Sequence, residues 1–277
     1  MLSYRHSFHA GNHADVLKHL ALIAILEAQL KKPTPICYVD SHAGAGRYAL
    51  DSAEARKTGE SADGVGRLLN HPAQAPLLRR YLELIQAADA APQHYPGAPC
   101  LAQTLLRAQD RLVLCELHPA EIEHLRHNCR GDARVAIHQR DGFEALRALL
   151  PPAQARCLVL IDPAYELKSD YAACAEAVSW LRRHVRSAVI ALWFPCLPGK
   201  PADDMRARIL AQPGTEVLEL GLSVREPLGD FGMYGSGMLI CQPPWQIDEQ
   251  IRAALAELAP RLAAHARFTV KVHPAHP

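Results

Sequence analysis

The sequence predicts an α/β fold: a largely parallel sheet with helices against its faces and a small helical subdomain inserted early in the chain. Three observations carry that expectation. Apolar runs of strand length recur between helical stretches, the pattern of successive strand-helix-strand units. Runs such as Cys157-Leu158-Val159-Leu160-Ile161 are apolar at every position, as a strand buried on both faces must be. The first two such strands, ending at Asp40 and Glu116, are separated by far more chain than the roughly dozen residues of a plain crossover.

The 277 residues allow one or two domains with an ample core. A formal net charge of +1 gives no whole-surface attraction to nucleic acid, so any such contact has to be a local patch. The eight cysteines (Cys37, Cys100, Cys115, Cys129, Cys157, Cys174, Cys196 and Cys241) contain no C-x-x-C pair, and Cys37, Cys115 and Cys157 sit in apolar runs. They read as buried thiols of a protein in a reducing, cytoplasmic compartment. Arg5, His6, His9 and His13 precede the first apolar run and Glu27 interrupts it, so neither a secretory leader nor a membrane span is expected.

Residues 1–13 lack helical or strand period but are dense in aromatic, imidazole and amide groups, with a disordered leader as the alternative reading. His9 and His13 are four residues apart, yet no second liganding pair follows, so no metal is expected. From Ala14 to about Gln29, Val16, Leu17, Leu20, Ile23 and Leu26 mark a helix that Pro33 stops, with Lys31 and Lys32 at the negative end of its dipole. Lys18 and His19 fall in its polar sector, and Asp15 is placed one turn before His19 to pair with it.

A short strand from Ile36 to Asp40 runs into Ser41-His42-Ala43-Gly44-Ala45-Gly46-Arg47. A G-x-G directly after a strand lets the backbone turn tightly and approach a ligand, although the third glycine of the dinucleotide fingerprint is missing. With Asp40 before the glycines, the loop suits a nucleoside bearing an ammonium better than one bearing a pyrophosphate. Residues 50–94 read as the inserted helical subdomain and 1–49 with 95–277 as the main domain. Within the insertion a helix from Ala75 to Ala88 carries Arg79 and Arg80, with breaks at Gly64, Gly66, Pro72 and Pro92. Tyr95-Pro96-Gly97-Ala98-Pro99-Cys100 reads as a rigid turn leading back to the sheet.

The strand Arg111 to Glu116 ends on the acidic position that hydrogen-bonds ribose hydroxyls in nucleotide-binding α/β domains. A helix from Ala120 to Cys129, a strand at Val135 to His138 and the turn Asp141-Gly142-Phe143 follow. In the next strand Pro163 holds Asp162 extended and ends the run, which puts a carboxylate and Tyr165 at the carboxyl edge of the sheet. A helix through Trp180 and strands at 188–193, 216–220 and 237–241 complete the pattern. The glycine-dense loop 229–237 between the last two suits mobility or close ligand approach.

Strands ending in Asp40, Glu116, Asp141 and Asp162 put four carboxylates on one edge, where they repel one another unless a ligand meets them. A ligand offering ammonium, ribose hydroxyls and an adenine amine satisfies the first three and leaves Asp162 for a substrate. Their order resembles the plan of S-adenosylmethionine-dependent methyltransferases.

More specific segments narrow the resemblance. Asp162-Pro163-Ala164-Tyr165 is similar to the D-P-P-Y motif of amino-methyltransferases that modify exocyclic nitrogens. The run from Tyr4 through Arg5 and His6 to Lys18 and His19, with Asp40 to Tyr48, Tyr95-Pro96-Gly97 and Glu116-Leu117-His118-Pro119, resembles the RlmJ family over essentially the whole chain. The resemblance implies a Rossmann-like class I methyltransferase fold with a helical insertion. It implies N6 methylation of an adenine in 23S ribosomal RNA of the large subunit, with S-adenosylmethionine as cofactor, no metal, no membrane and no obligate protein partner. Carried over by position, it places Lys18, His19, His42, Cys100, Glu116, Asp141 and Gly142 around the methyl donor, beside Asp40, Gly44 and Gly46. Asp162, Pro163 and Tyr165 are then the catalytic group, and Tyr4, Arg5 and His6 meet the RNA. Cys100 replaces an expected serine, and Ala164 replaces the second proline of the motif.

The chemistry of an aryl amine says what such a group must do. The N6 lone pair is delocalised into the ring, so hydrogen bonds to the Asp162 carboxylate and the Pro163 carbonyl are needed to make the nitrogen more tetrahedral. Tyr165 is expected to stack on a base taken out of its helix. Arg5, His6, Arg47, Arg79 and Arg80 are candidates for phosphate contact. A DNA adenine or protein glutamine methyltransferase, or a non-catalytic nucleotide-binding module, remains as the alternative reading.

Overall fold

The fully apolar runs become the middle of an eight-stranded sheet in a computed structural model that describes residues 4–87, 93–154, 156–227, 229 and 232–276. The chain starts with a 3-10 turn at His6–Phe8, helix α1 (His13–Leu30), β1 (Ile36–Asp40) and β2 (Arg47–Ala49). Helices α2 (Ala53–Thr58), α3 (Glu60–Asp63), α4 (Gly66–Leu69) and α5 (Pro76–Ala87) follow, then β3 (His94–Pro96) and α6 (Ala98–Leu105). Next come the pairs β4 (Arg111–Cys115) with α7 (Pro119–Asn128), β5 (Val135–His138) with α8 (Gly142–Leu149), and β6 (Arg156–Ile161) with α9 (Ser169–His184). The last elements are β7 (Ala188–Cys196), α10 (Asp203–Leu210), β8 (Val217–Ser223), β9 (Gly235–Cys241), α11 (Ile247–Leu262) and β10 (Arg267–His273).

The strand order is β10-β8-β9-β7-β6-β1-β4-β5. Strands β5, β4, β1, β6 and β7 are parallel, while β9 runs antiparallel to both β7 and β8, and β10 antiparallel to β8. The chain leaves β1 for β4 on one side and returns to β6 on the other, which opens a crevice outside the strand ends at that switch point. Register levels those ends: Asp40 pairs with Leu114 on one neighbour and Leu160 on the other, so Asp40, Glu116 and Asp162 emerge on one edge. Every residue of β1 is buried. Ile36 and Tyr38 join the core on the α1 side, and Cys37 and Val39 the core on the α9 side.

Helix α1 is the centre of the first core. Its start is fixed by the Asn12 side chain, which accepts from the backbone N–H groups of Ala14 (2.9 Å) and Asp15 (3.0 Å). Apolar residues point to every side of it, because the sheet covers one face and α5, α6 and α11 cover the others. At roughly 1.5–3 kcal/mol for each fully buried leucine or isoleucine, that packing also carries the cost of burying polar groups. Asp15, Lys18 and His19 are therefore inside the molecule, not on a solvated polar sector. Asp15 turns to His6 and Lys18, and the expected Asp15–His19 pair is not made.

The segment between β2 and β3 holds α2 to α5, and its Leu68, Leu77 and Tyr81 belong to the same core as α1. Tyr95 and Pro96 are strand, not turn: Tyr95 pairs with Tyr48 and Pro96 with Arg47, since a residue before proline is held extended. Strand β7 runs three residues beyond Trp193 because β9 stays paired with it as far as Gly235. Of the expectations above, Ala88 at the end of its helix, Pro92, and Asp230 and Phe231 in the glycine-dense loop lie outside the described residues, as do Met1 to Ser3. No helix among the described residues is long and apolar enough to cross a membrane.

A candidate active site at the carboxyl edge of the sheet

A cavity of about 1260 Å³ lies over the ends of β1, β4, β6 and β7, and Asp40, Glu116, Asp141 and Asp162 all line it. The four acidic residues read from sequence as strand ends thus share one cavity. Each is answered locally in a different way. Asp40 is buried and accepts from the Tyr38 hydroxyl (2.7 Å) and the His42 backbone N–H (3.2 Å). Burial dominates these bonds and pushes its carboxyl up to about 7. Glu116 accepts from the N–H groups of Gly44 (2.8 Å) and His118 (2.7 Å), and burial again raises its carboxyl. Asp141 caps α8 by accepting from the Glu144 N–H at 3.0 Å. Each oxygen used keeps a second lone pair for a ligand.

Two glycines shape this end. Gly44 sits at φ +60°, and a Cβ there would stand 2.2 Å from the Tyr48 hydroxyl. A Cβ on Gly142 would stand 2.1 Å from the Ser41 carbonyl oxygen, so α8 starts against the β1 loop only because residue 142 has no side chain. His42 stacks edge-on against Phe143 (5.2 Å), bonds Ser41 through Nδ1 (2.8 Å), and burial lowers its pKa to about 4. Phe143 and the exposed Leu117 line the same end, two apolar residues to which the sequence assigns no site role. Their signal was position: each directly follows a turn residue singled out for a ligand. Three carboxylates, apolar flanks and a glycine-cradled backbone fit a nucleoside with a cationic tail.

The second half of the site is built by α1 and the residues before it. The Lys18 ammonium lies 2.8 Å from Asp15 Oδ1 and 2.5 Å from Asp162 Oδ2. Burial opposes the charge of Lys18, yet the pull of Asp15 and Asp162 outweighs it and holds the ammonium protonated. Asp15 also accepts from the Gly11 N–H (2.8 Å) and meets His6 Nε2 (2.9 Å); although its burial opposes ionisation, His6 and Lys18 keep it well below the usual carboxylate range. His6 then meets the Tyr4 hydroxyl at 2.9 Å and lies edge-on to Tyr48. His19 is kept neutral by burial, its pKa lowered to about 3, and Nδ1 joins a buried chain to the hydroxyls of Tyr95 (2.7 Å) and Tyr81 (3.0 Å further).

Pro163 is buried and Ala164 exposed, and no hydrogen bond is made to the Pro163 carbonyl among the described residues. Tyr165 has φ +52° and its hydroxyl donates to the Trp193 carbonyl (2.7 Å), with its ring against Tyr171 and Trp193. The ring's attitude is therefore fixed from below, while Tyr165 and Trp193 still line the cavity.

Some expected site residues lie elsewhere. Gly46 and Cys100 are not on the cavity wall; they meet behind it, and the Cys100 thiol is engaged with Cys129, a contact that lowers its pKa. Arg5 is also off the wall and bridges Glu54 (3.3 Å) and Glu121 (3.5 Å). Arg79 is spent on the carbonyls of Ala73 and Gln74, and Arg80 on Glu27 and Glu83. No cluster of metal-ligating side chains is present among the described residues.

The chain is 39% identical over 272 residues to "Ribosomal RNA large subunit methyltransferase J" of Escherichia coli (strain K12), covering 96% of this chain and 97% of that protein. The identically named Haemophilus influenzae protein is 39% identical over 265 residues, covering 95% and 94%. A solved Legionella pneumophila structure superposes with a TM-score of 0.87 at 29% identity, over 96% of this chain and 98% of that one. The family model described as "Ribosomal RNA large subunit methyltransferase D, RlmJ" matches residues 33–272. With that family model spanning most of the chain and both relatives matched over nearly their whole length, the chain belongs to the RlmJ family of ribosomal RNA methyltransferases.

Proposed function

We propose that this protein transfers a methyl group from S-adenosylmethionine to the exocyclic N6 of an adenine in 23S ribosomal RNA. The observation that carries the reading is the Asp162 carboxylate at the end of β6, in one cavity with Asp40, Glu116 and Asp141. The cofactor supplies an electrophilic methyl group on a sulfonium. Asp40 meets its ammonium, Glu116 its ribose hydroxyls and Asp141 its adenine amine, with Lys18, His19, His42, Gly44 and Gly142 shaping the walls. Gly46 and Cys100 support that loop from behind.

The target adenine enters flipped, next to Tyr4 and His6, and Tyr165 with Trp193 gives it an aromatic floor. Lys18 holds Asp162 Oδ2, which leaves Oδ1 to accept one N6–H while the Pro163 carbonyl accepts the other. Both bonds draw the nitrogen towards tetrahedral geometry and turn its lone pair to the methyl group. A neutral amine is too weak an acid for a carboxylate to deprotonate beforehand, so the proton leaves as the nitrogen becomes cationic. With an ammonium beside it, Asp162 orients first and accepts a proton second. Large-subunit ribosomal RNA is the partner, in the cytoplasm, with no metal in the chemistry.

Incubation with methyl-labelled S-adenosylmethionine and separate pools of RNA, DNA and protein tests the reading. Label in the N6 of an adenine of large-subunit RNA is expected. Label confined to protein or DNA overturns it in favour of another amino acceptor.

A further inference from the structure

We propose that the groove between α8, α9 and α10 is a second docking surface for the substrate RNA, gripping its phosphate backbone away from the reaction centre. The proposal rests on RNA being the substrate, as argued above. The groove holds about 510 Å³ and gathers Arg147 of α8, Arg183 of α9 and Arg208 of α10 around Trp180. All three arginines are exposed, and none makes an ion pair among the described residues. Arg183 Nε donates to the Ser179 carbonyl at 3.2 Å, whereas the side chains of Arg147 and Arg208 make neither an ion pair nor a hydrogen bond among the described residues and are left for an external anion.

Three guanidinium groups from three helices repel one another when alone, and the groove holds one acidic residue, Glu176, against them. A polyanion resolves that imbalance. Trp180 stacks on His184 at 4.5 Å, which stiffens the groove floor. Position fits the same partner: Ser169, Asp170 and Ala173 of α9 line the active cavity, and Ser179 of the same helix lines the groove. At 1.5 Å per residue, about 9 Å of helix separates Ala173 from Ser179. Arg183 lies about 15 Å along the helix from Ala173, so an RNA strand with one base in the cavity reaches the arginines within a few nucleotides. This is the local basic patch that a net charge of +1 requires of an RNA-binding chain.

The test compares the full-length protein with the double variant Arg147→Gln/Arg208→Gln, using unmodified large-subunit ribosomal RNA at several salt concentrations. Both residues are exposed, so fold and S-adenosylmethionine binding stay as in the wild type. The expected result is RNA affinity lowered on the order of tenfold, a log K against log salt slope shallower by about 1–2, KM raised and kcat kept at saturating RNA. Arg147→Lys/Arg208→Lys restores most of the slope, because a phosphate contact needs charge more than shape; a structural role would not follow charge in this way. Unchanged affinity and slope in the glutamine variant, with wild-type protein methylating the RNA, overturns the docking surface and leaves the reaction standing. Wild-type protein that binds RNA through these arginines without transferring methyl keeps the surface and overturns the reaction.

Discussion

Lys18 Nζ sits 2.5 Å from Asp162 Oδ2, although 144 positions of chain separate the two residues. The contact joins the buried face of α1 to the end of β6 and makes the Asp162 carboxylate part of an Asp15–Lys18–Asp162 chain. Its consequence is a difference between the two oxygens of Asp162: Oδ2 is held by the protein, and Oδ1 is the one the proposed reaction uses.

Asp162→Ala is expected to lower methyl transfer on the order of 10²- to 10⁴-fold with RNA binding retained. Single-turnover assays with labelled cofactor measure it. A variant that keeps the wild-type rate shows that another group orients N6.

Lys18→Met leaves Asp15 buried with only His6 and the Gly11 N–H, and it faces Asp162 without a cation between them. Breaking a buried pair in this way costs about 3 kcal/mol, a drop in Tm of roughly 6–12 °C for a chain of this size. Asp162→Asn costs less, since Lys18 keeps Asp15 and the Asp162 side chain is 16% exposed. Equal melting of the two variants by calorimetry contradicts this order.

Burial raises Asp40 from its usual 3.8 to about 7, so the ligand-free fold prefers it protonated. Its contribution to stability is full below pH about 4 and is lost as pH rises through about 7. A cofactor ammonium prefers the ionised form. Binding of S-adenosylmethionine therefore tightens with pH up to about 7 and releases a proton at pH 6. Titration calorimetry in buffers of different ionisation heat reads that proton; heats independent of buffer, or an Asp40→Asn variant with the same pH profile, contradict it.

Cys100→Ser separates a wall residue from one behind the wall. Because the thiol meets Cys129 and not the cavity, cofactor affinity is expected to change less than about threefold, while burying a hydroxyl there lowers stability by roughly 1–3 kcal/mol. Tighter cofactor binding by the serine variant, with unchanged Tm, would put residue 100 in direct contact with the ligand.

Gly142→Ala drives a methyl group into the Ser41 carbonyl, backbone against backbone. Overpacking of this kind costs about 1–3 kcal/mol, and relief by moving α8 off the β1 loop displaces Asp141. Cofactor affinity should fall more than Tm alone explains. A variant with wild-type affinity and melting shows that the loop yields freely.

The parts of this molecule legible in sequence were those fixed by local pattern. Consecutive apolar residues stopped by an acid located β1, β4 and β6, since a strand buried on both faces admits nothing else, and the motif from Asp162 to Tyr165 marked a segment that lines the cavity. Strand β10 alternates polar and apolar residues from Arg267 to His273 and was legible, though not singled out, whereas the β2–β3 pair has turn-like composition and becomes strand only by pairing. Arg5, Arg79 and Arg80 looked available for phosphate, but their carboxylate and carbonyl partners come from other elements. Lys18 and His19 looked solvated because one helix's period does not reveal that α5, α6 and α11 close over it.

By itself the sequence determined the α/β class, the four acidic strand ends and the family, because each is written in runs of adjacent residues. Tertiary structure alone decided that Lys18 meets Asp162, that Cys100 stands behind the cavity wall and that Arg147, Arg183 and Arg208 share a groove. Those relations depend on packing between separate elements, 144 positions apart for Lys18 and Asp162, and no local period encodes them.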